Sequence, residues 1–442
     1  MRAVLLAAGA GKRLRSHFKR PKPLVHLLGL SLIERNILGL KECGIKEFVV
    51  ITGCYIDEIR NSLGNGERLG VQIKYLHNSD WELGNGVSAF AFQKDYRSEK
   101  KFILLMADHI FEVPLLKRFV AKAQEISQEE ILLAADKRVD KIFDLADGTK
   151  IKADQDYALE LGKNLTEFNA VDCGLFIGSK ALLEALEVSI DRGEYALTDA
   201  VNILAREGKV KLHFVEGIWE DVDDFASYKN AEKKFLQSLI PPKDGFISKK
   251  INRRFSLRIT KILVRTRLLP NHVSFCSFLT ALAAGICFAV SAPLWGGLLA
   301  QLSSILDGVD GEIARLKFLK SDFGGLFDAL LDRYADSLLV IGMTYAWYVT
   351  SYNSLALLIG ALALIGMPMS MLFKEKFQSL TGKPFIPEIY DGFLQYLPAN
   401  RDGRMFIIMI GGILNLIPQT LILLAIMAHL QTWNRLYRAR RI

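Results

Sequence analysis

Hydrophobic and polar positions divide this 442-residue chain into two halves of different character. Before about residue 235, apolar residues come in short runs: Val4 to Ala8, Glu47 to Thr52, Val71 to Tyr75 and Phe102 to Met106. Runs of that length predict buried strands. Helical stretches such as Ser31 to Cys43 separate several of them, which predicts a mostly parallel sheet wound with helices, a Rossmann-like α/β domain. Beyond about residue 270 the apolar runs lengthen and crowd together. Six read as membrane spans, at about 272–291, 295–314, 325–349, 353–373, 403–416 and 418–436. A full crossing needs about 20 residues, so the fifth is short. With the sixth it also reads as one helix kinked at Pro418, which gives five spans.

Charge separates the two counts. With six spans, the outer turns near Ala292-Pro293, Thr350 to Asn353 and Asn415 to Pro418 hold no Lys or Arg. The inner connections carry Arg315, Lys317, Lys320, Lys374, Lys376, Lys383, Arg401 and Arg404, and the tail adds Arg435, Arg438, Arg440 and Arg441. That is a positive-inside pattern. It predicts an all-α six-span bundle in the cell membrane, with the N-terminal domain and the C-terminus in the cytoplasm. Between the halves, basic residues from Lys243 to Arg267 alternate with Phe246, Ile247, Ile251, Phe255, Ile259 and Ile262 at roughly helical steps. This predicts an amphipathic helix on the membrane surface. The expected domains are therefore 1–235 soluble, 236–270 linker and juxtamembrane helix, and 271–442 membrane-embedded.

Composition narrows the partners. The formal charge of +8 is modest, and its basic clusters lie beside apolar segments, which favours an anionic lipid surface over nucleic acid. Five cysteines without a C-x-x-C pair predict reduced thiols. Met1 leads almost directly into a strand, so no signal peptide is expected before the first domain.

Against this background the acids stand out. Asp307-Gly-Val-Asp310-Gly311-Glu-Ile-Ala314-Arg315 is followed by Gly324-Gly-Leu-Phe-Asp328-Ala-Leu-Leu-Asp332, between strongly apolar segments. Intramembrane charges cost several kcal/mol and face partners, cavities or ions. Three- and four-residue steps put Asp307 with Asp310, and Asp328 with Asp332 and Asp336, on single helix faces. Two such faces make an all-oxygen cage for a hard cation such as Mg²⁺ or Mn²⁺. The spacing matches D-x-x-D-G-x-x-A-R followed by G-x-x-x-D-x-x-x-D, and so resembles the CDP-alcohol phosphotransferase family at every position. The resemblance implies metal ligation by Asp307, Asp310, Asp328 and Asp332, with Asp332 also the general base. It implies a CDP site at Gly311, Ala314, Arg315 and Gly324. Arg401 and Arg404 are expected to hold a phosphorylated acceptor.

The first domain opens Leu5-Leu6-Ala7-Ala8-Gly9-Ala10-Gly11-Lys12-Arg13-Leu14, with Lys22-Pro23-Leu24 soon after. A strand feeding a glycine-rich loop can wrap phosphates with backbone N–H groups. Together the two pieces resemble the nucleotidyltransferase family. That resemblance implies nucleotide binding at Ala8, Gly9, Gly11, Gly84 and Ser88, leaving-pyrophosphate contact by Arg13, and catalysis by Lys22. It implies metal ligation by Asp108 and Asp221. Asp223 and Asp224 read as cap or turn residues, and Lys150 or Lys152 is expected to hold the acceptor phosphate.

A module that consumes a CDP-alcohol, joined to a nucleotidyltransferase, implies that the first makes what the second uses. The whole chain resembles a family of bifunctional enzymes joining inositol-1-phosphate cytidylyltransferase to di-myo-inositol phosphate phosphate synthase. CTP and inositol 1-phosphate would give CDP-inositol, and a second inositol 1-phosphate would take it on to the diester and CMP. A homodimer through the membrane half is kept open. Two rivals remain at this point: a cytidylyltransferase fused to a phospholipid synthase with a lipid acceptor, and a transporter with a nucleotide-sensing domain.

Overall fold

The computed structural model describes residues 1–97, 100–241 and 247–440. Lys243, Phe246 and Arg441, all part of the charge pattern above, lie outside the described residues. The chain forms two compact units, Met1–Gln237 and Ser238–Ile442.

The first unit is built on nine strands: β1 (Ala3–Ala7), β2 (Glu47–Thr52), β3 (Gln72–His77), β4 (Phe102–Met106), β5 (Ile131–Asp136), β6 (Lys150–Asp154), β7 (Tyr157–Gly162), β8 (Ala170–Gly178) and β9 (Val210–Phe214). Their order in the sheet is β3-β2-β1-β4-β8-β5-β9-β7-β6. β1, β2, β3 and β4 run parallel, whereas β8 is antiparallel to β4 and β5. Strand residues bury alternately into two layers, Leu5, Val50 and Leu105 on one side and Val4, Val49 and Leu104 on the other. Both faces are therefore covered, which is why these strands read as continuous apolar runs. Ser31 caps the helix Leu32–Lys41 through a reciprocal pair with Glu34, which fixes where the first crossover begins.

The second unit is helical: α1 (Arg253–Leu263), α2 (Pro270–Ala289), α3 (Pro293–Leu316), α4 (Asp322–Ser351), α5 (Leu355–Thr381), α6 (Arg401–Ile413) and α7 (Ile417–Ala439). Among the described residues, α2 and α5 contain a window apolar and long enough to cross a membrane, with mean hydropathy 1.7 and 2.2. Acids lower the values of α3 and α4. Contacts give the directions. Ser277 of α2 donates to the Ser303 carbonyl (2.9 Å) while Phe288 packs on Gly296, so α2 and α3 are antiparallel. Ser304 meets Asp402 and Gly297 meets Met409, so α6 is antiparallel to α3. Ser370 donates to Gln431 and Gly366 packs on His429, so α5 and α7 run parallel. Asn415, in the left-handed region (φ 54°), reverses the chain, and Gly411 then packs on Thr420. The segments either side of Pro418 are two antiparallel helices, not one kinked helix.

The juxtamembrane helix is amphipathic, with its polar side turned toward α3. Phe255 and Ile262 are 48% and 68% exposed, while Asn252, Ser256 and Thr260 are buried. The helix turns a polar stripe inward, because α3 offers it buried acceptors instead of an apolar groove.

Candidate active sites

In the first unit the loops after β1 and β4 meet at the carboxyl edge of the sheet, the usual place for ligands in open α/β sheets. Gly11 adopts φ 56°, and a Cβ there would stand 2.5 Å from Lys22 Cβ. The glycine thus permits both the turn and the close approach of the lysine. Lys22 is 6% exposed. Its Nζ lies 2.6 Å from Asp108 Oδ2 and 3.9 Å from Asp221 Oδ1, and it also pairs with Asp223. Burial opposes its charge, but the three carboxylates outweigh burial and hold its pKa above the ordinary lysine value. Arg13 bridges Asp147 and Asp223, each at 2.9 Å.

Asp108, His109 and Asp221 each offer a ligand atom within 4.8 Å of the others. Asp221 Oδ1 is buried without a hydrogen-bond partner, so this donor set suits a divalent cation. His109 was not singled out by the sequence. Its Nδ1–H donates to the Cys173 carbonyl (2.7 Å) and its Nε2 faces Asp221 Oδ2 at 3.4 Å. Burial works against the imidazolium, yet Asp221 and Asp108 more than offset it, raising His109 to about 10. Gly174 (φ 70°) leaves room for the ring, since a Cβ there would sit 2.6 Å from it.

A cavity of about 700 Å³ opens from this cluster and is lined by Ala8, Gly9, Gly84, Ser88, Arg138 and Lys163, among others. Ser88 accepts from Asn78 (3.0 Å). Asp172 also borders the cavity; burial pushes it up to about 6 against the pull of the Gly174 N–H. Lys150 and Lys152 point elsewhere: Lys150 donates to the Lys163 carbonyl (2.5 Å) and Lys152 pairs with Glu167 (2.7 Å). Lys163 lines the cavity and pairs with Asp147 (2.6 Å). Asp224 is a helix cap, accepting from the Ser227 N–H (2.7 Å), whereas Asp223 faces the lysine cluster.

In the second unit α3 and α4 bring their acidic faces together. Asp307, Asp328 and Asp332 have ligand atoms within 4.8 Å of one another. Asp310 is buried and accepts from Ser274 of α2. Arg401 Nη1 stands 2.7 Å from Asp307 Oδ1 and 2.9 Å from Asp332 Oδ1. Both contacts are ion pairs without hydrogen-bond alignment, and Asp307 Oδ1 has no hydrogen-bond donor. Three carboxylates this close, one with an unbonded buried oxygen, fit a divalent ion. Asp336 pairs with Arg401 Nε (3.3 Å) and Arg404 Nη2 (2.7 Å), and Arg404 Nη1 donates to the Ala399 carbonyl (3.0 Å). Arg404 therefore reaches the cage through Asp336. Gly311 and Ala314 are half-buried on α3, Arg315 donates to the Leu239 carbonyl (3.3 Å), and the Gly324 N–H caps onto Ser321 (3.0 Å).

This geometry defines a class: a nucleotidyltransferase unit and a CDP-alcohol phosphotransferase unit in one polypeptide. Family models agree, the nucleotidyl transferase model matching residues 2–145 and the CDP-alcohol phosphatidyltransferase model residues 267–432. The chain is 32% identical to a bifunctional IPC transferase and DIPP synthase of Thermococcus kodakarensis, over 92% of this chain and 89% of that protein. It is 34% identical to the Archaeoglobus fulgidus protein of the same name, over 93% of this chain and 78% of that one. It also resembles a solved inositol-1-phosphate CTP transferase from T. maritima (27% identity, 53% of this chain, 96% of that chain, TM-score 0.45). The chain belongs to the family of bifunctional IPC transferase and DIPP synthase enzymes.

Proposed function

We propose that this chain makes CDP-inositol from CTP and inositol 1-phosphate, then transfers the inositol phosphate moiety to a second inositol 1-phosphate, releasing CMP. The observation that carries the reading is the pairing, in one polypeptide, of the Lys22–Asp108–Asp221 cluster with the Asp307–Asp328–Asp332 cage.

In the first step, a phosphate oxygen of inositol 1-phosphate bonds to the α-phosphorus of CTP, and the bond to the leaving pyrophosphate breaks. Both reactants are anions, so positioning and neutralisation dominate. The loop at Ala8, Gly9 and Gly11 presents N–H groups to the triphosphate, with Gly84 and Ser88 at the cytidine end. Lys22 holds positive charge at the α-phosphate, and Arg13 steadies the pyrophosphate. Lys163 is better placed than Lys150 for the acceptor phosphate. In the second step, Asp332 takes the proton of the acceptor hydroxyl, whose oxygen bonds to the β-phosphorus as CMP leaves. Gly311, Ala314, Arg315 and Gly324 flank the CDP group, and Arg401, oriented by Asp336, meets the acceptor phosphate. Divalent ions, Mg²⁺ or Mn²⁺, held by Asp108 and Asp221 in one unit and by Asp307, Asp310, Asp328 and Asp332 in the other, would neutralise phosphate oxygens.

The helical unit is read as six membrane passes, α2 to α7 without α1, with the cage at the cytoplasmic end. The alternating helix directions support this, as does the placement of Arg435 and Arg404 at the same end as the aspartates. Domain limits of 1–235, 236–270 and 271–442 go with this reading.

Incubating purified full-length protein with CTP, labelled inositol 1-phosphate and Mg²⁺ tests the proposal. CDP-inositol should form first, followed by a water-soluble phosphorylated diester and stoichiometric CMP. A product that forms only with added lipid hydroxyl acceptor would overturn it.

A further inference from the structure

Two buried polar side chains beside the cage play no part in the chemistry above. Glu312, within the signature segment on α3, is 0% exposed. Its Oε1 accepts from Arg253 Nη1 (2.6 Å) and Ser256 Oγ (2.7 Å), and its Oε2 from Thr260 Oγ1 (2.6 Å). All three donors come from α1 and its first residue. Asn252, the residue before α1, is 3% exposed. Its Nδ2 donates to Ser304 Oγ and Asp402 Oδ1, both at 3.0 Å, and its Oδ1 accepts from Gln301 (2.6 Å). Ser304 closes the loop by donating to Asp402 (2.9 Å). Gln301 and Ser304 belong to α3, and Asp402 follows Arg401 on α6.

At about 100° per residue, Glu312 projects about 140° away from Asp307 around α3. Helix α1 thus grips α3 from behind while the aspartates face α4. Asn252 ties the same brace to α6, which carries Arg401. We propose that Glu312 and Asn252 are positioning residues for phosphotransfer, and that α1 is a brace fixing the rotation of α3 and its distance from α6. The proposal rests on the reading of the Asp307 cage as the phosphotransfer site.

The magnitude follows from geometry. A carboxylate about 6 Å from the helix axis moves about 2 Å when the helix turns by about 20°. Metal ligation tolerates about 0.2 Å, and an ångström of misplacement costs roughly 100-fold in rate. Glu312 contributes no ligand, so its loss should act on turnover and metal use without removing a substrate contact.

The test uses the full chain, scoring both reactions in one tube. In Glu312→Gln, CDP-inositol formation should stay within twofold of wild type, which reports an intact first unit. Diester formation from supplied CDP-inositol should fall about 100-fold in kcat, with KM for inositol 1-phosphate within threefold and half-saturating Mn²⁺ raised at least fivefold. The isosteric Thr260→Val, which removes one donor and strands no charge, should lower kcat by about three- to tenfold. Arg253→Lys should restore more activity than Arg253→Ala. Arg258→Ala, on the exposed side of α1, should match wild type. If Thr260→Val and Glu312→Gln both keep kcat and Mn²⁺ dependence within twofold, α1 is no brace. A rise in KM alone, or Arg253→Lys no better than Arg253→Ala, overturns it equally. Wild-type protein that forms no diester would instead refute the underlying reading of the cage.

Discussion

Replacing Lys22 by methionine removes one charge from the middle of three carboxylates while keeping the length of the side chain. At an effective dielectric of about 20, attraction to unit charges at 2.6 Å and 3.9 Å is about 6 and 4 kcal/mol. Desolvation of a 6% exposed ammonium offsets much of this. Removing one partner from a buried ionic cluster costs about 3–5 kcal/mol. For a unit the size of Met1–Gln237, each kcal/mol is worth roughly 2–4 °C, so the metal-free melting temperature should fall by about 6–20 °C. Catalysis should suffer separately. A lost electrostatic stabiliser costs about 100- to 1000-fold in kcat. Mg²⁺ should recover most of the melting temperature, because it rebalances Asp108 and Asp221. It should not recover turnover, because the metal does not replace the ammonium that Lys22 holds at the α-phosphate. Calorimetry of the full chain with and without Mg²⁺, beside CTP turnover, reads both effects. Turnover that recovers along with melting, or falls less than fivefold, would refute the assignment of Lys22.

Asp332→Asn should let CDP-inositol accumulate while diester formation drops about 100- to 10,000-fold, the range for a lost general base, as seen by phosphorus NMR of the products. Gly11→Ala forces a Cβ into the left-handed region 2.5 Å from Lys22 Cβ, so CTP turnover should fall at least tenfold with the diester step from supplied CDP-inositol unchanged. Asp172→Asn should stabilise the metal-free first unit at high pH only. The folded state holds the Asp172 proton more tightly than the ordinary value of 3.8, at about 6. Its contribution is therefore complete below pH 3.8 and lost as pH rises through 6. Water in the bordering cavity softens the effect, so the variant should gain roughly 1–3 kcal/mol at pH 8 and nothing at pH 4 in urea titrations.

Much of this was legible from local spacing. Strands β1, β2 and β4 announce themselves as short apolar runs because both sheet faces are covered there, whereas the half-exposed, charged β6 and β7 give no such run. The aspartates are legible because a helix converts three- and four-residue steps into one face. Features that depend on distant partners were hidden. His109 follows a metal-binding candidate but looks like any strand residue until Asp221, on an antiparallel strand far along the chain, lies opposite it. Lys163 and Lys150 are equally basic in sequence, and only the strand pairing of β6 with β7 decides which one faces the cavity. The polar stripe of α1 was equally hidden. Ser256 and Thr260 have no evident partner in the sequence until Glu312 supplies their acceptor, nor has Asn252 until Ser304 and Asp402 supply its own.

The brevity of α6 has a consequence for access. Thirteen residues rise about 20 Å, roughly 10 Å short of the hydrocarbon thickness of a bilayer. Where the helical unit crosses the membrane as proposed, the Arg401 end of this helix sits well beneath the headgroups. The lipid must thin there or give way to a water-filled bay. Under that proposal, such a bay would admit a charged, fully hydrated cyclitol phosphate to the aspartates without passage through acyl chains. Thicker bilayers would deepen it and lengthen the route.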